Sequence, residues 1–180
     1  MKKTALYFGS FNPIHIGHVA IANYVVEFTD IQELWLIVSP RNPCKDSDEL
    51  LPEEERMERA RKVIDALDLP ISVCDIEMQL PRPSYTINTL HVLSDKYPDR
   101  QFVVIIGADS LADFHRWKNY GEILSHYEIY VYPRSGYDAK ALCAKYGVHY
   151  LDAPLIDISA TFIRNAIADG KNVNGFLPCQ

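Results

Sequence analysis

Cysteines are few and unpaired in this sequence. The four present, Cys44, Cys74, Cys143 and Cys179, are far apart and form no Cys-x-x-Cys element. That excludes a disulfide scaffold and reads as free thiols in a reducing compartment. No apolar run approaches membrane-spanning length. Met1-Lys2-Lys3 leads straight into a short strand pattern, with no long apolar region and no small-residue cleavage site, so no secretion signal and a cytoplasmic location are expected. Basic residues are outnumbered: 18 Lys and Arg against 24 Asp and Glu leave a net charge of −6. A basic footprint for broad nucleic-acid binding is therefore lacking, and a phosphate ligand must be met by positive charge gathered locally. Repeats, low-complexity stretches and linkers are also lacking. The 180 residues, 48% of them hydrophobic, fit one domain over 1–180 with a sizeable core.

What is present is organised around residues 6 to 18, Leu-Tyr-Phe-Gly-Ser-Phe-Asn-Pro-Ile-His-Ile-Gly-His. The apolar run Ala5 to Phe8 ends at Gly9, and a turn cluster of Ser10, Asn12 and Pro13 follows. From Ile16 the period becomes that of a helix, so a strand, a tight turn and a helix start are predicted. Gly9 lets the backbone turn sharply, and Gly17 leaves the first helical turn open to close approach by a ligand. The unpaired N–H groups and partial positive charge of a helix start make an anion site. His15 and His18, three apart, share a face where a phosphate would sit. A metal site would need further ligands, and no Cys or Glu lies close by at ligand spacing, so phosphate contact is preferred.

The chain then alternates strands and helices. A helix through Phe28 and a buried strand over Leu34–Ser39 complete a β-α-β unit. The loop Pro40 to Lys45 leaves the carboxyl end of that strand, where ligands bind in open α/β sheets, which makes Lys45 a candidate phosphate ligand. Pro52 at a first helical position begins a helix with Met57, Ala60, Ile64 and Leu67 buried and Arg56, Arg59, Arg61 and Lys62 on a solvated face. Ile71 to Cys74 is a third strand. A helix from about Ile87 to Tyr97 follows, for which Ser84 or Thr86 is the candidate cap. Phe102 to Ile106 is the most hydrophobic run, hence the central strand, and it ends in Gly107-Ala108-Asp109. Asp109 suits a ribose diol or caps the next helix. Leu111, Phe114 and Trp117 recur at spacing three; Trp117, in polar company, can offer its ring to a heteroaromatic. Tyr127–Tyr132 and Val148–Leu151 are further strands, with a short helix over 138–146 between them. Near the end, Ser159 and Thr161 are candidate caps of a last helix, with Arg164 one turn inside it. Hydroxyls, free N–H groups and a guanidinium fork make a polyphosphate clamp. The fold predicted is α/β and Rossmann-like: a doubly wound, mostly parallel sheet of about six strands with helices on both faces.

Gly9 to His18 together with Ile158-Ser159-Ala160-Thr161-Phe162-Ile163-Arg164 resembles the paired signature of the HxGH nucleotidyltransferase superfamily. Within it, Pro83 to Leu90 and Gly107 to Leu111 with Trp117 resemble bacterial nicotinate-nucleotide adenylyltransferases, over essentially the whole chain. The resemblance implies an enzyme using ATP and nicotinate mononucleotide to make nicotinate adenine dinucleotide, with Mg²⁺ bound through the ATP phosphates. Carried over by position, it places Gly9, Ser10 and Phe11 along the triphosphate with His15 and His18. Ser159, Thr161 and Arg164 would hold the far end, and Gly107 and Asp109 the ribose. Thr86, Trp117, Lys118 and Arg134 would take the nicotinate mononucleotide, and His18, His15, Arg164 and Lys45 carry the catalytic charge. This chain departs from the family pattern at Ala160, Asn12, Cys44 and Ser135. Alternatives are another superfamily enzyme, such as a phosphopantetheine adenylyltransferase or a cytidylyltransferase, a dinucleotide-sensing module without turnover, and a metal-binding protein using the two histidines. Nucleic-acid and membrane partners are not expected, and assembly into a homo-oligomer is left open.

Overall fold

A computed structural model describes residues 1–40 and 50–178. Cys44, Lys45 and Cys179 lie outside the described residues. The strands are β1 (Lys2–Gly9), β2 (Glu33–Val38), β3 (Ile71–Cys74), β4 (Arg100–Gly107), β5 (Glu128–Tyr132) and β6 (His149–Tyr150). They form one sheet in the order β3-β2-β1-β4-β5-β6. Every neighbouring pair runs parallel.

Both faces are covered, which is why the central strands read as continuous apolar runs. Along β4, Val103 and Ile105 join one core with α1 (Ile16–Phe28) and α2 (Glu53–Asp65). Phe102, Val104 and Ile106 join the other, with α3 (Thr86–Lys96), α4 (Ala108–Ala112), α5 (Tyr120–His126) and α6 (Ala139–Tyr146). A last helix, α7 (Ala160–Ala168), buries Ile163. The chain winds outward from β1 to β3, then returns to the other side of β1 and winds outward again. The order therefore reverses between β1 and β4, and a crevice opens beyond the carboxyl ends of these two strands. They end in Gly9 and Gly107, the two turns singled out from the sequence.

Several local expectations are corrected. Arg56, expected on the solvated face of α2, is 1% exposed because four backbone carbonyls close around its guanidinium. Arg59, Arg61 and Lys62 do face solvent and make exposed ion pairs with Glu55, Asp75 and Glu58, of small energetic weight. Pro52 stands just before α2 rather than inside it. Neither Ser84 nor Thr86 caps α3; extended Tyr85 between them takes the cap position, without a side-chain cap bond. The stripe at 111, 114 and 117 is divided among α4, a 3-10 turn over Phe114–Arg116 and the segment leading to α5, with Leu111 and Phe114 fully buried. Cys74 and Cys143 are free thiols. Among the described residues no helix is long and apolar enough to cross a membrane.

Candidate active site

The turn between β1 and α1 bends at Phe11, not at Gly9. Phe11 has φ of 46°, a left-handed backbone that costs a non-glycine residue about 1–2 kcal/mol. Gly9 serves that bend differently: a Cβ there would stand 3.0 Å from Phe11 Cζ, so its missing side chain lets the buried ring fold back. Gly17 does the same for His15. A Cβ at Gly17 would meet the His15 ring at 3.0 Å, so the glycine makes room for an imidazole rather than directly for a ligand.

The two histidines form a capping box, each supporting the other. His15 Nδ1 accepts from the Gly17 N–H at 3.2 Å, and the His15 N–H donates to His18 Nδ1 at 3.2 Å. With Nδ1 accepting in both rings, each neutral imidazole carries its proton on Nε2. The rings stack at 3.7 Å between centroids, and His18 also packs edge-on against Phe11 at 4.9 Å. His18 thus has a fixed tautomer and a fixed plane before any substrate arrives.

Before any anion binds, the His15 ring is neutral at pH 7. Burial first, then the nearby Arg134 charge, lower its pKa from 6.5 to about 4. Between those values the unfolded chain binds a proton at His15 that the folded chain refuses. Stability contributed by the neutral ring is therefore complete above pH 6.5 and lost as the pH falls through about 4. The loss amounts to roughly 3 kcal/mol. His15→Asn keeps an acceptor for the Gly17 N–H and removes the titration. Urea unfolding at pH 7 and pH 4.5 is expected to show a smaller acid loss in the variant, and equal losses would remove His15 as the cause.

The second signature folds against the first. Ser159 caps α7, its Oγ accepting from the Phe162 N–H at 3.1 Å. Thr161 is no cap; its Oγ1 accepts from Arg164 Nη2 at 3.3 Å. Arg164 Nη1 donates to the Asn12 carbonyl at 2.8 Å, across 152 residues of sequence. One guanidinium therefore touches both signature segments.

At the end of β4, Asp109 lies inside the first turn of α4 and makes no cap bond, which sets aside its capping role. Its carboxylate pairs with Arg134 Nε at 3.8 Å. A Cβ on Gly107 would come within 2.3 Å of Asp109 Oδ1 and 3.1 Å of Tyr132 and Arg134. Only glycine lets those side chains converge. Arg134 also donates to the Ile156 carbonyl at 3.4 Å, so its contacts lie with Asp109 and the segment before α7. Of the remaining residues predicted for the mononucleotide, Thr86 and Lys118 lie by the start of α3. Lys118 Nζ stands 4.5 Å from the Tyr85 ring centroid, beside half-buried Thr86, and Trp117 leans on Phe114 at 4.9 Å. Among the described residues, buried Ser84 keeps a hydroxyl without a hydrogen bond at that same end.

Sequence reasoning missed Tyr7 and Tyr132, whose hydroxyls meet at 3.4 Å under the crevice. Their place at the carboxyl ends of β1 and β5 was the available signal. It also missed Arg56 as a structural group. Arg56 lies four residues before Ala60 and next to Met57, at the edge of the buried stripe. Among the described residues no group of three or more His, Cys, Asp or Glu converges as a metal cage.

The cytidylyltransferase-like family matches residues 6–166, a span that holds both signature segments. A probable nicotinate-nucleotide adenylyltransferase of Flavobacterium johnsoniae is 43% identical over 178 residues, covering 98% of this chain and 92% of its own length. The chain belongs to the nicotinate-nucleotide adenylyltransferase family. Another member of that family, from Cytophaga hutchinsonii, is 47% identical over 95% of this chain and 88% of its own. The solved structure of Plasmodium falciparum nicotinic acid mononucleotide adenylyltransferase complexed with NaAD aligns with a TM-score of 0.80. It covers 98% of this chain and 91% of that one at 17% identity, so this likeness concerns the fold. The family's Rossmann-like architecture is the one predicted from the sequence.

Proposed function

We propose that this chain transfers the adenylyl group of ATP to nicotinate mononucleotide, giving nicotinate adenine dinucleotide and pyrophosphate. The observation that carries this reading is the Arg164 bond to Asn12, which brings the two signature segments to one crevice at the switch point of the sheet. A phosphate oxygen of the mononucleotide attacks the α-phosphorus of ATP, and the bond to pyrophosphate breaks in line. The nucleophile is already anionic near neutral pH, so no side chain needs to form a covalent intermediate. Catalysis consists of holding two anions together and meeting the charge that builds on the leaving oxygens.

In this reading the Nε2–H groups of His15 and His18, the start of α1, and Gly9, Ser10 and Phe11 meet the triphosphate. Phe11 can offer only its backbone, because its ring is buried. Ser159, Thr161 and Arg164 hold the far phosphates, and Asp109 takes the ribose in the space Gly107 leaves open. Arg134, paired with Asp109, is better placed for the nucleotide's ribose and phosphate than for the nicotinate ring. Thr86, Trp117 and Lys118 receive the nicotinate at the start of α3. Lys45 is assigned to the phosphates on its family resemblance. Mg²⁺ would enter on the ATP phosphates, since the converging donors here are imidazole and guanidinium groups and not carboxylates, and it would neutralise charge on the departing pyrophosphate.

The test is pyrophosphate release with ATP, Mg²⁺ and a panel of phosphorylated acceptors. Turnover with nicotinate mononucleotide is expected, and its absence would refute the reading. The amide analogue should be worse. Its NH₂ faces N–H donors meant for a carboxylate and loses about 1.5–3 kcal/mol, tenfold or more in kcat/KM. Similar kcat/KM for the acid and amide mononucleotides would contradict carboxylate recognition at α3.

A further inference from the structure

One arginine at the edge of the crevice takes no part in the reaction as proposed. Arg56 of α2 is 1% exposed, and among the described residues its hydrogen bonds all go to backbone carbonyls. Nη1 donates to Ser10 at 2.6 Å and Ser39 at 2.8 Å, Nη2 to Pro40 at 3.0 Å, and Nε to Leu51 at 3.0 Å. A guanidinium can reach four acceptors because its donors lie in a rigid planar fork; an ammonium offers three from a single point.

The Ser10 bond has a consequence for the next residue. In a trans peptide unit the C=O and N–H point in opposite directions, and the Ser10–Phe11 bond is not among the cis bonds of this chain. Drawing the Ser10 oxygen toward Arg56 therefore turns the Phe11 N–H away from it. The left-handed φ of Phe11 is a state the backbone does not choose unaided. Two bonds hold it from either side: Arg56 on the Ser10 carbonyl and Arg164 on the Asn12 carbonyl. A third, from the Ser39 N–H to the Gly9 carbonyl at 2.8 Å, anchors the end of β1. Asn12 Oδ1 in turn accepts from the Leu51 N–H at 3.2 Å, tying the same turn to the segment that Arg56 grips.

We propose that Arg56 is a positioning residue for nucleotide binding: by holding the Ser10 carbonyl inward it aims the Phe11 N–H at the triphosphate, without touching the nucleotide itself. The proposal rests on the reading that ATP phosphates occupy this turn. AMP, which lacks the β- and γ-phosphates, depends less on that N–H.

The experiment compares the native chain with Arg56→Lys and Arg56→Met. Calorimetry gives the affinities for ATP and AMP, and amide NMR follows the Phe11 resonance on adding each nucleotide. In Arg56→Lys, ATP affinity is expected to fall about tenfold or more, the scale of one lost charge-assisted bond, and AMP affinity by less than about threefold. The ATP-induced shift of the Phe11 amide seen in the native chain is expected to vanish. Arg56→Met, which donates nothing, should lose more if it folds. Equal losses for ATP and AMP in a folded variant, unchanged ATP affinity, or a Phe11 amide that still answers ATP would overturn the proposal. Should neither variant fold, the native chain decides, since the proposal requires ATP to shift the Phe11 amide more than AMP does. A native chain that binds no ATP overturns the reaction reading and this proposal with it. One that binds ATP while the variants behave as native overturns this proposal alone.

Discussion

His18→Ala is expected to lower the single-turnover rate about 10²–10³-fold while weakening ATP binding less than about tenfold, the pattern of a donor whose partner gains charge in the transition state. The structure supports that asymmetry. His18 Nδ1 is committed to the His15 N–H, so the opposite nitrogen carries the proton. The ring is fixed between the stacked His15 imidazole and the edge of Phe11. Little of its orientation has to be organised during the reaction, which is what makes such a donor effective. His18→Asn offers an acceptor near the Nδ1 position but no donor at Nε2, and should behave like alanine in rate while keeping more stability. Rapid-quench measurement of dinucleotide formation, beside ATP dissociation constants, reads both quantities. Equal losses in rate and affinity would remove the transition-state role.

Arg164→Ala is expected to reduce kcat/KM for ATP about 10²–10³-fold, because the side chain has two functions that fail together. In the proposed reaction it would supply a fork for phosphate oxygens, with charge-assisted bonds worth about 1.5–3 kcal/mol each. It also ties α7 to the first signature through the Asn12 carbonyl. Arg164→Lys restores charge but not the fork that reaches Thr161 and Asn12 together. It should recover part of the ATP affinity and little of the rate. Steady-state kinetics with ATP varied, alongside thermal unfolding to confirm folded protein, distinguishes these outcomes. A value of kcat/KM within threefold of native for Arg164→Ala would end the clamp.

The architecture was legible in the sequence because local pattern decides it. Continuous apolar runs alternating with helical periods permit little besides a parallel sheet covered on both faces. The most apolar run, Phe102 to Ile106, had to lie centrally, and it pairs with β1 and β5. The turn from Gly9 to His18 and the helix start at Ser159 were also readable, since caps and turns are specified within a few residues. What the glycines and charged residues do there was not readable, because it depends on neighbours distant in sequence. Gly17 yields space to the His15 ring, and Gly107 to Asp109, Tyr132 and Arg134.

The same division runs through the charges. A helix carrying Arg56, Arg59, Arg61 and Lys62 looks uniformly solvated along the sequence. Only tertiary packing could bring the carbonyls of Ser10, Ser39, Pro40 and Leu51 to one of the four and bury it. Sequence likewise marked His15 as a phosphate ligand, while its neutral state comes from burial and from Arg134, more than a hundred residues away. The sequence by itself determined the fold and the two signature segments, through periodicity and turn chemistry that act locally. Tertiary structure alone decided that these segments meet, which tautomers the histidines hold and which arginine is buried, because long-range contact and desolvation set those energies.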